Sequence, residues 1–142
     1  MTHSHVLVAL DGSPLADEAL AHALETFDCR LTVLNILTPL DAGMSEGGVL
    51  EPDADRQAAA RNHADQLIER AETQAAEADR TVETAVETGD PADAIIEYAT
   101  DHDVDHIVMG GHGGPQGRLT RLLGTVSTTV VSQAPMSVTI IR

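Results

Sequence analysis

The sequence contains no lysine and no tryptophan, a single cysteine, and only one phenylalanine and one tyrosine, Phe27 and Tyr98. Each shortage excludes something. One cysteine, Cys29, cannot form an internal disulfide. With no histidine or cysteine partner nearby in sequence, it reads as a buried or idle thiol and not as a nucleophile. Without lysine there can be no G-K-[ST], and so no Walker A phosphate loop. No stretch approaches the ~20 apolar residues that a bilayer span requires. The opening MTHSHVLVALDGS lacks a basic n-region and a small-residue cleavage site, so a cytoplasmic protein without a signal peptide is expected.

The charge is one-sided. All 8 basic residues are arginine, and they face 23 acids, for a formal net charge of −15. A surface of this kind repels nucleic acid and anionic lipid, so neither is expected as a partner. Its self-repulsion weakens the compact state at low salt and is screened at high salt. Together with the alanine-rich, aromatic-poor core, this balance points to a salt-loving cytoplasm; an ordinary acidic protein is the alternative. The 142 residues suit one domain spanning 1–142, since domains commonly run to about 100–150 residues. They suffice for a hydrophobic core.

What is present is an alternation. HVLVAL (His5–Leu10) and RLTVLNIL (Arg30–Leu37) are short apolar runs of the kind that strands buried on both faces show. Between them DGSP supplies a turn at Asp11-Gly12, an N-cap at Ser13 and a proline for the first helical turn. The helix that follows shows apolar spacing at Leu15, Ala19, Ala23 and Phe27. Thr38 to Pro52, with three glycines and two prolines, reads as a long loop. Asp53 to Asp79 reads as a long helix with Ala60, Ala64, Leu67, Ile68, Ala71, Ala75 and Ala78 turned inward. Val82–Thr88 reads as a third strand, Asp90-Pro91 as the start of a helix, and Asp105–Gly110 as a fourth strand. Thr125–Ser132 is a final helix and Met136–Ile141 a final strand. Strands alternating with helices imply an α/β fold with a parallel sheet and right-handed crossovers. In such sheets ligands bind beyond the C-terminal ends of the strands.

One segment lies at such a position and has an unusual composition. GGHGGPQGRLTRLLGTVS (Gly110–Ser127) holds six of the eleven glycines. After the fourth strand, its glycines can turn backbone N–H groups inward. Gly124, Thr125 and Val126 then open a helix, whose N-terminus suits an anion. This reads as a phosphate-binding loop followed by a phosphate-binding helix start; the alternative is a tight structural loop without a ligand. Arg118 and Arg121, one helical turn apart, could reach a terminal phosphate or form a solvated face paired with acids. His112 reads as a solvent-facing loop histidine, with a contact to a phosphate or the ribose as the alternative. The other histidines show no metal-ligand spacing, His3 and His5 reading as disordered or strand-edge, and no carboxylate cluster near the loop specifies a metal site.

These segments, in this order, resemble the single-domain universal stress proteins. VLVALDGSP, LNIL, ETGDPADAIIEYA, IVMGGHG and the closing apolar strand after Ala134-Pro135 all carry the likeness. The family's nucleotide motif G-x2-G-x9-G-[ST] is matched by Gly111, Gly114, Gly124 and Thr125. A second register, Gly110 and Gly113, leaves ten residues instead of nine before Gly124. The resemblance implies an open five-stranded parallel sheet of order 3-2-1-4-5 with helices on both faces, Rossmann-like, and ATP across the strand ends. It implies that Ala9 and Asp11 border the adenosine and Ile36 contacts the adenine. Met109 joins them at the end of the fourth strand, and Gly111, Gly114, Gly124, Thr125 and Val126 hold ribose and phosphates. Mg²⁺ could bridge the phosphates.

The function expected on this basis is an ATP-binding stress-response or regulatory module with slow hydrolysis or none, because no general base stands in the loop. It would form a homodimer through the last strand, SVTIIR, an apolar edge. Two alternatives stand beside it. One is a weak ATPase or phosphotransferase using Asp41, Glu46 or Glu51 as a base. The other is a dimeric scaffold without nucleotide, acting through a protein partner.

Overall fold

The structure is a computed structural model, and it describes residues 4–11, 13–37, 51–111 and 124–142, with side chains from residue 58 onward in the third stretch. Among the described residues, nine elements alternate between strand and helix. They are β1 (His5–Leu10), α1 (Pro14–Thr26), β2 (Arg30–Leu37), α2 (Glu51–Glu77), β3 (Glu83–Thr88), α3 (Pro91–Asp101), β4 (His106–Gly110), α4 (Thr125–Gln133) and β5 (Ser137–Ile141). All strand pairings are parallel, and the order across the sheet is β3-β2-β1-β4-β5. The chain thus moves outward from β1 to β3 and then crosses back to β4. That reversal puts a switch point between β1 and β4 at the C-terminal edge of the sheet.

The caps explain where the helices begin. The Ser13 hydroxyl accepts the Ala16 N–H at 3.3 Å, and the Asp90 carboxylate accepts the Asp93 N–H at 3.1 Å. Both helices place proline in the first turn, where its missing N–H costs nothing. The long α2 starts two residues earlier than its apolar pattern suggests and ends two earlier, at Glu77. Asp79, at φ 60°, turns the chain left-handed, and the Arg80 N–H closes back on the Ala75 carbonyl at 2.8 Å. The expected loop of 38–52 therefore loses Glu51 and Pro52 to the helix, while 38–50 lie outside the described residues.

Side-chain alternation along the central strands feeds two cores. Val6, Val8 and Leu10 of β1 join Leu31 and Val33 of β2 beneath α1 and α2. Leu7 and Leu34 face the other way, toward Ala92, Ile95 and Ala99 of α3 and Val130 of α4. On α2 the inward stripe is Ala64, Leu67, Ala71 and Ala75, with Ala60 and Ile68 half-buried and Ala78 exposed. β3 is an edge strand, and only Ala85 and Val86 of it are half-buried. Cys29 is half-buried, and burial pushes its thiol pKa up, which disfavours the reactive thiolate.

His5 departs from the sequence reading. It is neither disordered nor at a sheet edge: it opens the central strand and is 3% exposed. Its Nδ1 donates to the His102 carbonyl at 3.1 Å, since a carbonyl can only accept, and its Nε2 is hydrogen-bonded to the Thr32 hydroxyl at 2.7 Å. Among the described residues, no helix is long and apolar enough to cross a membrane.

Candidate functional site

The C-terminal ends of β1, β2 and β4 open into a cavity of about 790 Å³. Its floor is the sheet edge itself. Ala9, Leu10 and Asp11 come from the end of β1, Leu34 to Leu37 from β2, and Met109 and Gly110 from β4. The first turn of α4, with Gly124, Thr125, Val126 and Ser127, forms one wall. Pro91 and Ile95 of α3 and Ala60, His63 and Leu67 of α2 form the others. The surface is largely apolar with a few polar groups converging on it, which is the composition of a small-molecule site.

Local chemistry fixes each polar group. The Asp11 Oδ1 accepts the Ser13 N–H at 2.9 Å, an Asx turn that leads β1 into α1. Asp11 is otherwise exposed on the cavity rim. Gly124 is the N-cap of α4, and among the described residues no side chain caps that helix. Among those residues the N–H groups of its first turn have no side-chain acceptor, and the helix dipole adds partial positive charge there. In a chain of formal charge −15, this is a local place for an anion.

The two glycines at the end of β4 have packing reasons for being glycine. A Cβ on Gly110 would come 2.8 Å from the Leu15 Cβ, so α1 could not sit so close to β4. A Cβ on Gly111 would meet the Ile141 carbonyl at 3.2 Å and Ile140 at 3.3 Å. Gly111 also uses its backbone internally. Its N–H donates to the Ile141 carbonyl at 2.7 Å, and its own carbonyl accepts from the Gly124 N–H and the Ser127 hydroxyl. Gly110, not Gly111, is in the cavity lining.

Of the residues expected to contact a nucleotide, Ala9, Asp11, Ile36, Met109, Gly124, Thr125 and Val126 line this one cavity. Gly111 stands behind it, bracing the start of α4, and Gly114 lies outside the described residues. Gly113, His112, Arg118, Arg121 and the acids Asp41 and Glu46 also lie outside them, and the Glu51 side chain is not described. Among the described residues, no group of three or more His, Cys, Asp or Glu side chains is placed to hold a metal ion.

Sequence reasoning passed over three polar lining residues. Asn35 is a lone amide within an apolar strand run, a signal that was visible. It is 6% exposed, and its Nδ2 donates to the Leu10 carbonyl at 2.8 Å. Ser127 is 2% exposed and ties α4 to Gly111. His63 reaches the cavity from α2 and stands out in sequence by nothing except its helical phase.

Comparison with known proteins agrees with this architecture. A model of the universal stress protein family matches residues 2–142. A protein of Staphylococcus saprophyticus bearing the universal stress protein name is 31% identical over 148 residues, covering 100% of this chain and 85% of that one. Among solved structures, UspA of Lactobacillus plantarum superposes with a TM-score of 0.87 at 24% identity, over 100% of this chain and 99% of its own. A universal stress protein family structure from Arabidopsis thaliana with AMP bound gives a TM-score of 0.70 at 23% identity, covering 97% of this chain and 90% of that one.

Proposed function

The chain belongs to the universal stress protein family, and from that premise we propose that its cavity binds an adenine nucleotide, ATP in the cell. The protein acts as a cytoplasmic regulatory module and hydrolyses the nucleotide slowly or not at all. The observation that carries this reading is the cavity at the sheet's switch point, walled by the uncapped first turn of α4. An apolar chamber accommodates a base, an acid on its rim suits ribose hydroxyls, and free N–H groups suit phosphates. Ala9, Asp11, Ile36 and Met109 would take the nucleoside. Gly124, Thr125 and Val126 would take the phosphates, with Gly111 holding the helix start in place and Gly114 contributing from the loop. Mg²⁺ would bridge phosphate oxygens and solvent, not a carboxylate cluster. The AMP found in the Arabidopsis relative supports the same ligand class.

The protein would work as a single domain paired with a second copy. β5 is one of the two edges of the sheet, and Val138 and Ile140 on it are only half-buried. Pairing two such edges would cover them. The acid excess suits this assembly to a salt-rich cytoplasm, where self-repulsion is screened.

Calorimetry in molar KCl with Mg²⁺ tests the reading. Wild type binds ATP, and Gly124→Val, still folded, does not, because its side chain occupies the phosphate end of the cavity. A folded wild type that takes up no ATP, ADP or AMP would overturn it.

A further inference from the structure

The cavity does not stay on one face of the sheet. Asn35 and Ile36 are consecutive in β2 and so point to opposite faces, yet both line it. Ile36 packs with the core beneath α3 and α4, and Leu10, to which Asn35 is bonded, belongs to the core beneath α1 and α2. A ligand lying on the strand ends is therefore bordered by a buried amide as well as by apolar groups.

That amide has only one orientation. Its Nδ2 donates to the Leu10 carbonyl at 2.8 Å. Flipping the amide would set two carbonyl oxygens against each other. The Oδ1 is thus the end left over, and it takes no hydrogen bond from another described residue. At 6% exposure the residue is nearly buried, and a ligand that covered the Oδ1 without supplying a donor would leave it unsatisfied, which is destabilising. The other polar groups of the wall differ. The Ser127 hydroxyl is committed to the Gly111 and Gly124 carbonyls, and Asp11 stands exposed on the rim.

We propose that Asn35 is a specificity-determining residue of this cavity, its Oδ1 accepting a hydrogen bond from the exocyclic amino group of the bound base. This rests on the nucleotide reading above and deepens it. An acceptor-only group favours a base that presents an amino donor and disfavours one that presents nothing there, because the oxygen then stays dry under the ligand.

The test compares AMP with purine riboside 5′-monophosphate, which differs only in lacking the 6-amino group. Binding of each is measured by calorimetry in molar KCl to wild type and to Asn35→Leu, with circular dichroism to check folding. Wild type binds AMP about tenfold more tightly or better, as expected for one lost hydrogen bond at a buried acceptor. In the variant the ratio collapses toward one. A purely structural role for Asn35 would weaken both ligands alike and leave the ratio intact, and that result overturns the proposal. Equal binding of the two ligands by wild type overturns it without any variant, should Asn35→Leu fail to fold. If wild type binds neither, the nucleotide reading falls and this one with it; if it binds both equally, this one falls alone.

Discussion

The two ends of the sheet use the same strands and dispose of their polar groups in opposite ways. At the N-terminal end, several polar groups bond one another. The Asp105 Oδ2 accepts from the Ser4 N–H at 2.7 Å, the Ser4 hydroxyl at 2.9 Å and the His5 N–H at 3.3 Å. His5 joins Thr32 to the His102 carbonyl, and the His102 ring stacks on Tyr98 with centroids 3.8 Å apart. His106 meets the Thr139 hydroxyl at 2.6 Å. At the C-terminal end, Asn35, Asp11 and the first turn of α4 line a cavity. One end ties strands and helix together, whereas the other keeps donors and acceptors available. Parallel strands bring this asymmetry about, because every helix N-terminus that follows a strand arrives at the same edge.

If the division is real, mutations at the two ends should separate stability from binding. His5→Leu should have the largest effect on stability. It strands the fully buried Thr32 hydroxyl and removes a bond to the His102 carbonyl, and a buried unsatisfied group costs about 1–3 kcal/mol. Thermal melts in molar KCl should fall by several degrees while AMP affinity, by calorimetry, stays unchanged. A parallel loss of affinity would show that the two ends are coupled.

Ser127→Ala probes a place at the open end where a side chain is committed as fully as at the closed end. The change removes the hydroxyl that bonds Gly111 and Gly124. It should lower stability by about 1 kcal/mol and also weaken AMP binding several-fold, since α4 loses its anchor. Stability that falls with affinity unchanged would detach this anchor from the site.

Asp11→Ala should do the reverse of His5→Leu. A single turn bond to Ser13 is lost, worth about 0.5–1.5 kcal/mol, while AMP affinity drops about tenfold through the lost ribose acceptor. Unchanged affinity would remove Asp11 from the site.

The smallest effect belongs to the ion pair at the closed end. The Arg30 guanidinium, hydrogen-bonded to Glu83 at 2.6 and 2.8 Å, holds that carboxyl below its usual pKa range. A depressed folded value means that the contribution is complete above the unfolded pKa of about 4.3 and is lost as pH falls through the folded value. Both side chains are about half exposed, 52% and 51%, so the effect is slight and salt-screened. Wild type should melt slightly above Glu83→Gln at pH 7 in low salt, and the gap should close in acid and in molar KCl.

Much of the fold was legible because it rests on short-range rules. The apolar runs His5–Leu10 and Arg30–Leu37 coincide with β1 and β2, and the caps Ser13 and Asp90 start α1 and α3 where the dipeptides with proline place them. Strand starts were read one residue early at Val82, Asp105 and Met136, since hydrophobicity marks burial and not the first ladder bond. The cavity's glycine loop drew attention for a ligand, yet Gly110 and Gly111 are glycine because Leu15, Ile140 and Ile141 press on them. No local pattern announces those neighbours.

What the sequence by itself determined, then, is the alternation of strand and helix, the helix starts, the parallel class and the edge of the sheet where a ligand would sit. These follow from periodicity and capping, which act within about four residues along the chain. Only the tertiary structure decided that His5 is buried in a polar closure and that the cavity spans both faces of the sheet. It alone decided that Asn35 lies nearly buried in the cavity lining with its Nδ2 tied to the Leu10 carbonyl. The bond that orients Asn35 joins residues 25 apart, and the one that holds His5 joins residues 97 apart. Such pairings exist only once the chain has brought them together, because a hydrogen bond depends on distance in space and not on separation in sequence.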